Sequence, residues 1–245
     1  MTTAAPATSR TPTSPHRKTA FVGGMFYLLT FASSIPALIL INPVLHNSDY
    51  IVSAGADTRV IWGCLLDVLN AFAGIGTAVS LFPVVKRQNE ASALGFVTSR
   101  VIEAAVIMTG VVCLLGVVTL RQHVGGATGA DQAALVDIGK ALVAVRNWTF
   151  LFGPGLMPAV NALLLGSLLY RSRLVPRIIP ATGLVGAPLL LIATMTTLFG
   201  YTEQVSGPAA LLTLPVALWE FAVGVYLVGK GFKPSALTAD TSSAT

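Results

Sequence analysis

Six long apolar runs separated by short polar connections fill the chain, at about 20–44, 60–85, 93–119, 148–170, 178–199 and 209–229. Each comes close to the ~20 residues that cross ~30 Å of hydrocarbon at about 1.5 Å per residue. Lipid offers no hydrogen bonds, so a backbone immersed in it must satisfy its own, and helices do this within a single segment. The pattern predicts an all-α fold: a polytopic membrane bundle of six transmembrane helices, occupying residues 19–232. Residues 1–18 and 233–245 are polar, rich in Ala, Thr, Ser and Pro, and lack apolar periodicity, so both read as disordered tails. The first apolar run exceeds a signal-peptide core in length and is expected to stay as an anchor.

Two places depart from the simple alternation. The connection 120–147 begins as a turn-rich loop, then sets Leu135, Ile138, Leu142 and Val145 at helical spacing beside Asp137, Lys140 and Arg146. Residues 133–147 form either an amphipathic helix on the outer interface or an early start to the fourth span. Within the fourth span, Gly153, Pro154, Gly155 and Pro158 fall inside six residues. Proline removes a backbone donor and crowds the preceding turn, so a kink is expected there. The alternative is a broken helix with exposed carbonyls. Pro36, Pro188 and Pro215 favour the kink, since this chain places prolines inside other spans as well. No internal repeat is evident.

Composition agrees with the lipid reading. Charged residues make up 10% of the chain, hydrophobic residues 54%, and mean hydropathy is +0.77. Soluble domains carry about 25% charged residues to face water, so the expected partner of this surface is the lipid bilayer. The net charge of +5 does not signal nucleic acid, because the basic residues lie in short connections and form no patch. They orient the bundle instead. Ten Lys and Arg residues fall on the side of the two ends, against four (Arg59, Arg121, Lys140 and Arg146) on the other. By the positive-inside rule both termini are cytoplasmic, and the expected location is a bacterial inner membrane, crossed several times. Cys64 and Cys113 lie in apolar runs with no metal-ligand neighbours, so neither a disulfide nor a metal site is indicated.

Charges inside the spans are the chemically informative exceptions. An ion in hydrocarbon costs several kcal/mol, so such residues face the bundle interior and find partners. Counted from the cytoplasmic edge of each span, Arg100 lies roughly 12 Å deep and Glu103 roughly 16 Å, while Asn161 and Glu220 lie roughly 14 Å deep. Arg100, Glu103, Asn161 and Glu220 are therefore the candidate intramembrane polar site, at the bilayer midplane. Asp67 and Asn70 form a secondary polar seam with Gly63, Gly74 and Thr77 on the second span. Three acids (Asp67, Glu103, Glu220) against one base leave the spans at −2 if all are ionised, so at least one carboxyl is expected to hold a proton.

Two function classes fit these features. A small transport-like bundle would use the polar layer and the surplus acid to relay protons or bind a cation. A structural or accessory bundle would use the same layer only to tie helices together, and would act through partners. Enzyme motifs with a supporting context are absent, and His16, His46 and His123 all lie outside the spans, so no enzyme and no cofactor is expected.

Four stretches taken together resemble one family: RKTAFVGGMFYLLTFASSIPALIL, SRVIEAAVIMTGVV, NWTFLFGPGLMPAVNALLLG and YRSRLVPRIIPATGLVGAPLLL. They look like the bacterial integral-membrane family filed as domain of unknown function 4386, over nearly the whole chain from Arg17 to about Lys230. Matching positions include Arg100, Glu103, Asn147, Trp148, Asn161 and the run from Ser172 to Arg177. The resemblance implies a helical bacterial membrane protein and brings no substrate, cofactor or catalytic residue with it. Arg171, Arg173 and Arg177 have a plain reading besides: they fix topology and can touch anionic headgroups.

Overall fold

A computed structural model describes residues 15–47, 49–53, 55, 57–123 and 130–234; the far ends of both expected tails and part of the 120–131 loop lie outside these. Among the described residues seven α-helices follow one another: α1 (Pro15–His46), α2 (Asp57–Val85), α3 (Glu90–His123), α4 (Ala130–Phe150), α5 (Met157–Ser172), α6 (Ile178–Leu198) and α7 (Gly207–Gly229). A π-helical turn, Leu151–Leu156, joins α4 to α5 without a break. No strand occurs among the described residues. Six helical segments are long and apolar enough to cross a membrane, α4, the π turn and α5 forming one of them, Asp131–Ser172. The first helix starts at Pro15, so residues 15–18 of the expected N-terminal tail are helical.

Local chemistry sets the ends. Asn89 Oδ1 accepts the Ser92 amide at 2.8 Å before α3, and the Ser206 hydroxyl accepts the Ala209 amide at 3.5 Å before α7. These side chains satisfy donors that the first helical turn leaves open. At the other end of α7, Arg17 of α1 donates to the carbonyls of Leu227, Val228 and Gly229, at 3.2, 3.0 and 3.0 Å. The described ends of the chain therefore meet on one side of the bundle. A cation placed on terminal carbonyls also complements the helix dipole.

Small residues bring the helices close. A Cβ on Gly24 of α1 would stand 2.8 Å from the Gly224 carbonyl of α7, and one on Gly63 of α2 would stand 2.6 Å from Ile41 of α1. Lipid tails are as apolar as leucine, so association in a membrane relies on such close packing. The outward faces carry Ile35, Ile39, Trp62, Phe72, Val112, Val185, Ile192 and Leu218, all exposed.

Two apolar cores result. The one nearer the chain ends contains Tyr27, Leu81, Phe96, Leu165, Leu169, Trp219 and Leu227. The far one contains Ile41, Tyr50, Ile51, Val60, Leu114 and Val118, with Leu135 and Leu142 of α4 packed against it. This packing decides the open reading of residues 133–147: they continue the fourth span and lie against α3. The 42 residues of that span reach about 63 Å at 1.5 Å each, twice the hydrocarbon thickness. Its first turns therefore stand clear of the lipid, with Asp131, Asp137 and Lys140 exposed. Arg146, expected in the outer connection, is instead buried, because α4 brings it against Gly110 of α3.

Candidate functional site

The boundary between the two cores is polar. Along α3, Phe96 belongs to one core and Ala104 to the other, and Arg100 and Glu103 lie between them. Arg100 Nη1 donates to Glu103 Oε2 at 3.0 Å, and Nη2 donates to Glu220 Oε1 of α7 at 2.5 Å. Asn161 Nδ2 of α5 donates to the same Glu103 Oε2 at 2.8 Å, and its Oδ1 accepts the Ser99 hydroxyl at 2.7 Å. The chain of bonds thus runs Ser99, Asn161, Glu103, Arg100, Glu220 and links three helices. Arg100 and Glu103 are 4% and 8% exposed and Asn161 is fully enclosed, so these are ties in a low-dielectric setting. Aromatic rings frame the cation: the Arg100 guanidinium carbon sits 5.4 Å from the centre of Tyr27 and 5.8 Å from that of Phe96.

The cluster is incompletely closed. Arg100 Nε and the Tyr27 hydroxyl are buried without a hydrogen-bond partner among the described residues. Among the described residues no bond reaches Glu103 Oε1 or Glu220 Oε2, and the two side chains keep 10% and 13% exposure. They border a cavity of about 180 Å³, which Asn70, Arg100, Glu103 and Glu220 line together with Thr30 and Ser34 of α1. At ~30 Å³ per water that volume holds several molecules. With every group ionised, Arg100, Glu103 and Glu220 sum to −1.

The sequence-derived candidates thus separate into two groups. Arg100, Glu103, Asn161 and Glu220 meet directly, and Asn70 borders their cavity. Asp67 does not join them. It faces Arg146 across a narrow crevice of about 20 Å³, lined also by Gly110, Thr149 and Pro154. No hydrogen bond or ion pair to Asp67 occurs among the described residues. Arg146 is 6% exposed and lies over the Phe150 ring at 4.7 Å.

Sequence reasoning missed Tyr27, Phe96, Thr30 and Ser34. A tyrosine inside an apolar run was the available signal for the first. The fourth span is continuous: Pro154 lies inside the π turn, Pro158 in the first turn of α5, and the Thr194 hydroxyl of α6 donates to the Gly155 carbonyl at 3.0 Å. A second polar assembly sits at the far side, where the start of α2 and the end of α3 meet the α1–α2 connection. Arg121 pairs with Asp57, donates from Nε to the Ser53 carbonyl at 2.8 Å, and stacks on Tyr50 at 5.0 Å. Burial, and then the Asp57 carboxylate that accepts its hydroxyl at 3.2 Å, hold the Tyr50 phenol above its ordinary range.

The family model described as Domain of unknown function (DUF4386) matches residues 22–231. No curated protein and no solved structure matches the chain. The match reaches all six membrane-capable helices, beginning at Val22 inside the first, and covers every member of the polar cluster, and the chain belongs to this DUF4386 family.

Proposed function

We propose that the protein is a small transport-like bundle of the bacterial inner membrane, with both termini cytoplasmic, that holds an ion or small solute at mid-depth without covalent chemistry. The observation that carries this reading is the cavity of about 180 Å³ bounded by Glu103, Glu220, Arg100 and Asn70 inside a membrane-capable bundle. Ionisable groups at such depth are costly, and transport proteins use them to bind and relay charge. A helix tie alone needs no space beside it, and here two carboxylate oxygens border open volume. The ten basic residues on the side of the two ends, against four on the other, support the orientation.

The accessory reading rests on the bond chain from Ser99 to Glu220, which links α3, α5 and α7 whether or not anything is carried. Reconstitution separates the two. Proton and monovalent-cation flux into liposomes is compared for the parent, Glu103→Gln and Glu220→Gln, with thermal stability of each measured in detergent. Transport expects flux in the parent and its loss in a folded Glu220→Gln. A parent without flux, whose Gln variants merely unfold, points to the accessory role.

A further inference from the structure

The cavity at the ionic cluster adjoins a larger one. A second volume of about 320 Å³ runs from Phe150 and Leu151 past Ala193, Thr194 and Thr197 to Gln204, Val205 and Ser206. Those last residues belong to the α6–α7 connection, on the side away from the chain ends. The two cavities share four lining residues, Pro154, Leu190, Thr213 and Ala217, which form a collar between them. In the opposite direction lies the fully enclosed core of Tyr27, Phe96, Leu165 and Trp219. Access to the cluster therefore leads from the α6–α7 side.

The lining changes character along this route. Beyond the collar the walls are mainly apolar, with Leu38, Leu151, Val205 and Leu214 among them. At the floor Glu103 Oε1 and Glu220 Oε2 are unengaged acceptors beside the buried donor Arg100 Nε, in a cluster that sums to −1 with every group ionised. An anion would meet net repulsion there, and a neutral alcohol would leave a charge uncompensated in low dielectric. A compact group with several N–H donors and one positive charge satisfies both oxygens. Taken together the two cavities approach 500 Å³, from 180 and 320, within the range of small-molecule sites.

We propose that this pocket takes a primary ammonium carried on an apolar body, which enters from the α6–α7 side, passes the collar and sets its nitrogen between Glu103 and Glu220. This rests on the transport-like reading and adds to it the ligand class and the side of access.

The probes are 2-phenylethylamine, with 2-phenylethanol and 3-phenylpropionate as neutral and anionic comparators of similar shape. Binding to the full chain in lipid nanodiscs is measured calorimetrically against empty nanodiscs. The amine is expected to bind at least about tenfold more tightly than either comparator, and Glu220→Gln to weaken it by a similar factor, each a difference of about 1.4 kcal/mol. Ala217→Leu narrows the collar without touching the ion cluster and is expected to weaken the amine likewise. This variant keeps the test valid if Glu220→Gln fails to fold. No amine binding, or equal binding of all three probes, overturns the proposal. Proton or cation flux without amine binding refutes the ligand class and leaves transport standing. Amine binding without any flux does the reverse.

Discussion

Asn161 and Arg100 share one acceptor: Glu103 Oε2 takes the Asn161 amide at 2.8 Å and the Arg100 guanidinium at 3.0 Å. One carboxylate oxygen thereby joins α5 to α3, and through Arg100 to α7. Asn161→Leu removes a donor from a buried carboxylate and leaves the Ser99 hydroxyl only the weak Met157 sulfur acceptor at 3.8 Å. An unsatisfied buried polar group costs about 1–3 kcal/mol, so the variant is expected to melt earlier in detergent by that equivalent. A melting profile unchanged from the parent would show the amide to be dispensable.

Gly24 and Gly95 offer a paired test of helix contact. A methyl on Gly24 would meet backbone, at 2.8 Å from the Gly224 carbonyl and 2.9 Å from the Val228 nitrogen. On Gly95 it would meet only the end of the Leu164 side chain, at 3.4 Å. Gly24→Ala is expected to destabilise by about 1–3 kcal/mol through overpacking, and Gly95→Ala to change little. Thermal melting of the two variants side by side checks the ordering.

Tyr50 gives the far side a pH dependence whose sign is fixed. Its phenol is held above the ordinary 10.0 by burial and by Asp57. Below that pH both folded and unfolded chains keep the proton, and the contribution is fully present. As pH climbs past 10.0 the unfolded chain releases its proton first, so stability drains away up to the folded value. Tyr50→Phe lacks this titration. The stability of the parent relative to Tyr50→Phe is expected to fall as pH rises beyond 10.0 and to stay level below it, read from melting temperatures.

Orientation is tested by labelling intact cells with a membrane-impermeant maleimide, after Cys64 and Cys113 are replaced by alanine. A cysteine at the exposed Asp131 is expected to react directly. One at the exposed Lys86 is expected to react only after permeabilisation. The reverse pattern would invert the bundle.

Much of this arrangement could be read from the residues alone, for a physical reason. In hydrocarbon a charge has few permissible positions, so counting 1.5 Å per residue along each span gave Arg100, Glu103, Asn161 and Glu220 similar depths. Depth carries no information about azimuth. That is why Asp67, on the same helical seam as Asn70, could not be seen to face Arg146 instead of the cluster. Arg146 itself was assigned to a connection because its neighbours Asn147 and Lys140 are polar, yet α3 extends far enough to cover it. Tyr27 and Phe96 escaped notice because an aromatic residue in an apolar run carries no mark of what it stacks on. The Gly-Pro run announced a disturbance, and only the three-dimensional contacts with Thr194 and Val106 show how it is accommodated.

The six residues from Leu151 to Leu156 also act as a phase setter. Each α-helical residue advances the winding by about 100°, and a single wide turn shifts everything beyond it relative to a regular helix. Arg146 and Asn161 lie on opposite sides of that shift, and both reach the interior. The wide turn takes up one residue more than an α-turn for the same winding, so a chain shortened by Gly155 alone closes to ordinary winding with Asn161 still on Glu103. A residue removed between Met157 and Asn161 instead swings Asn161 away with no polar side chain altered. Spacing between residues, as much as their identity, is thus part of what specifies the ionic layer.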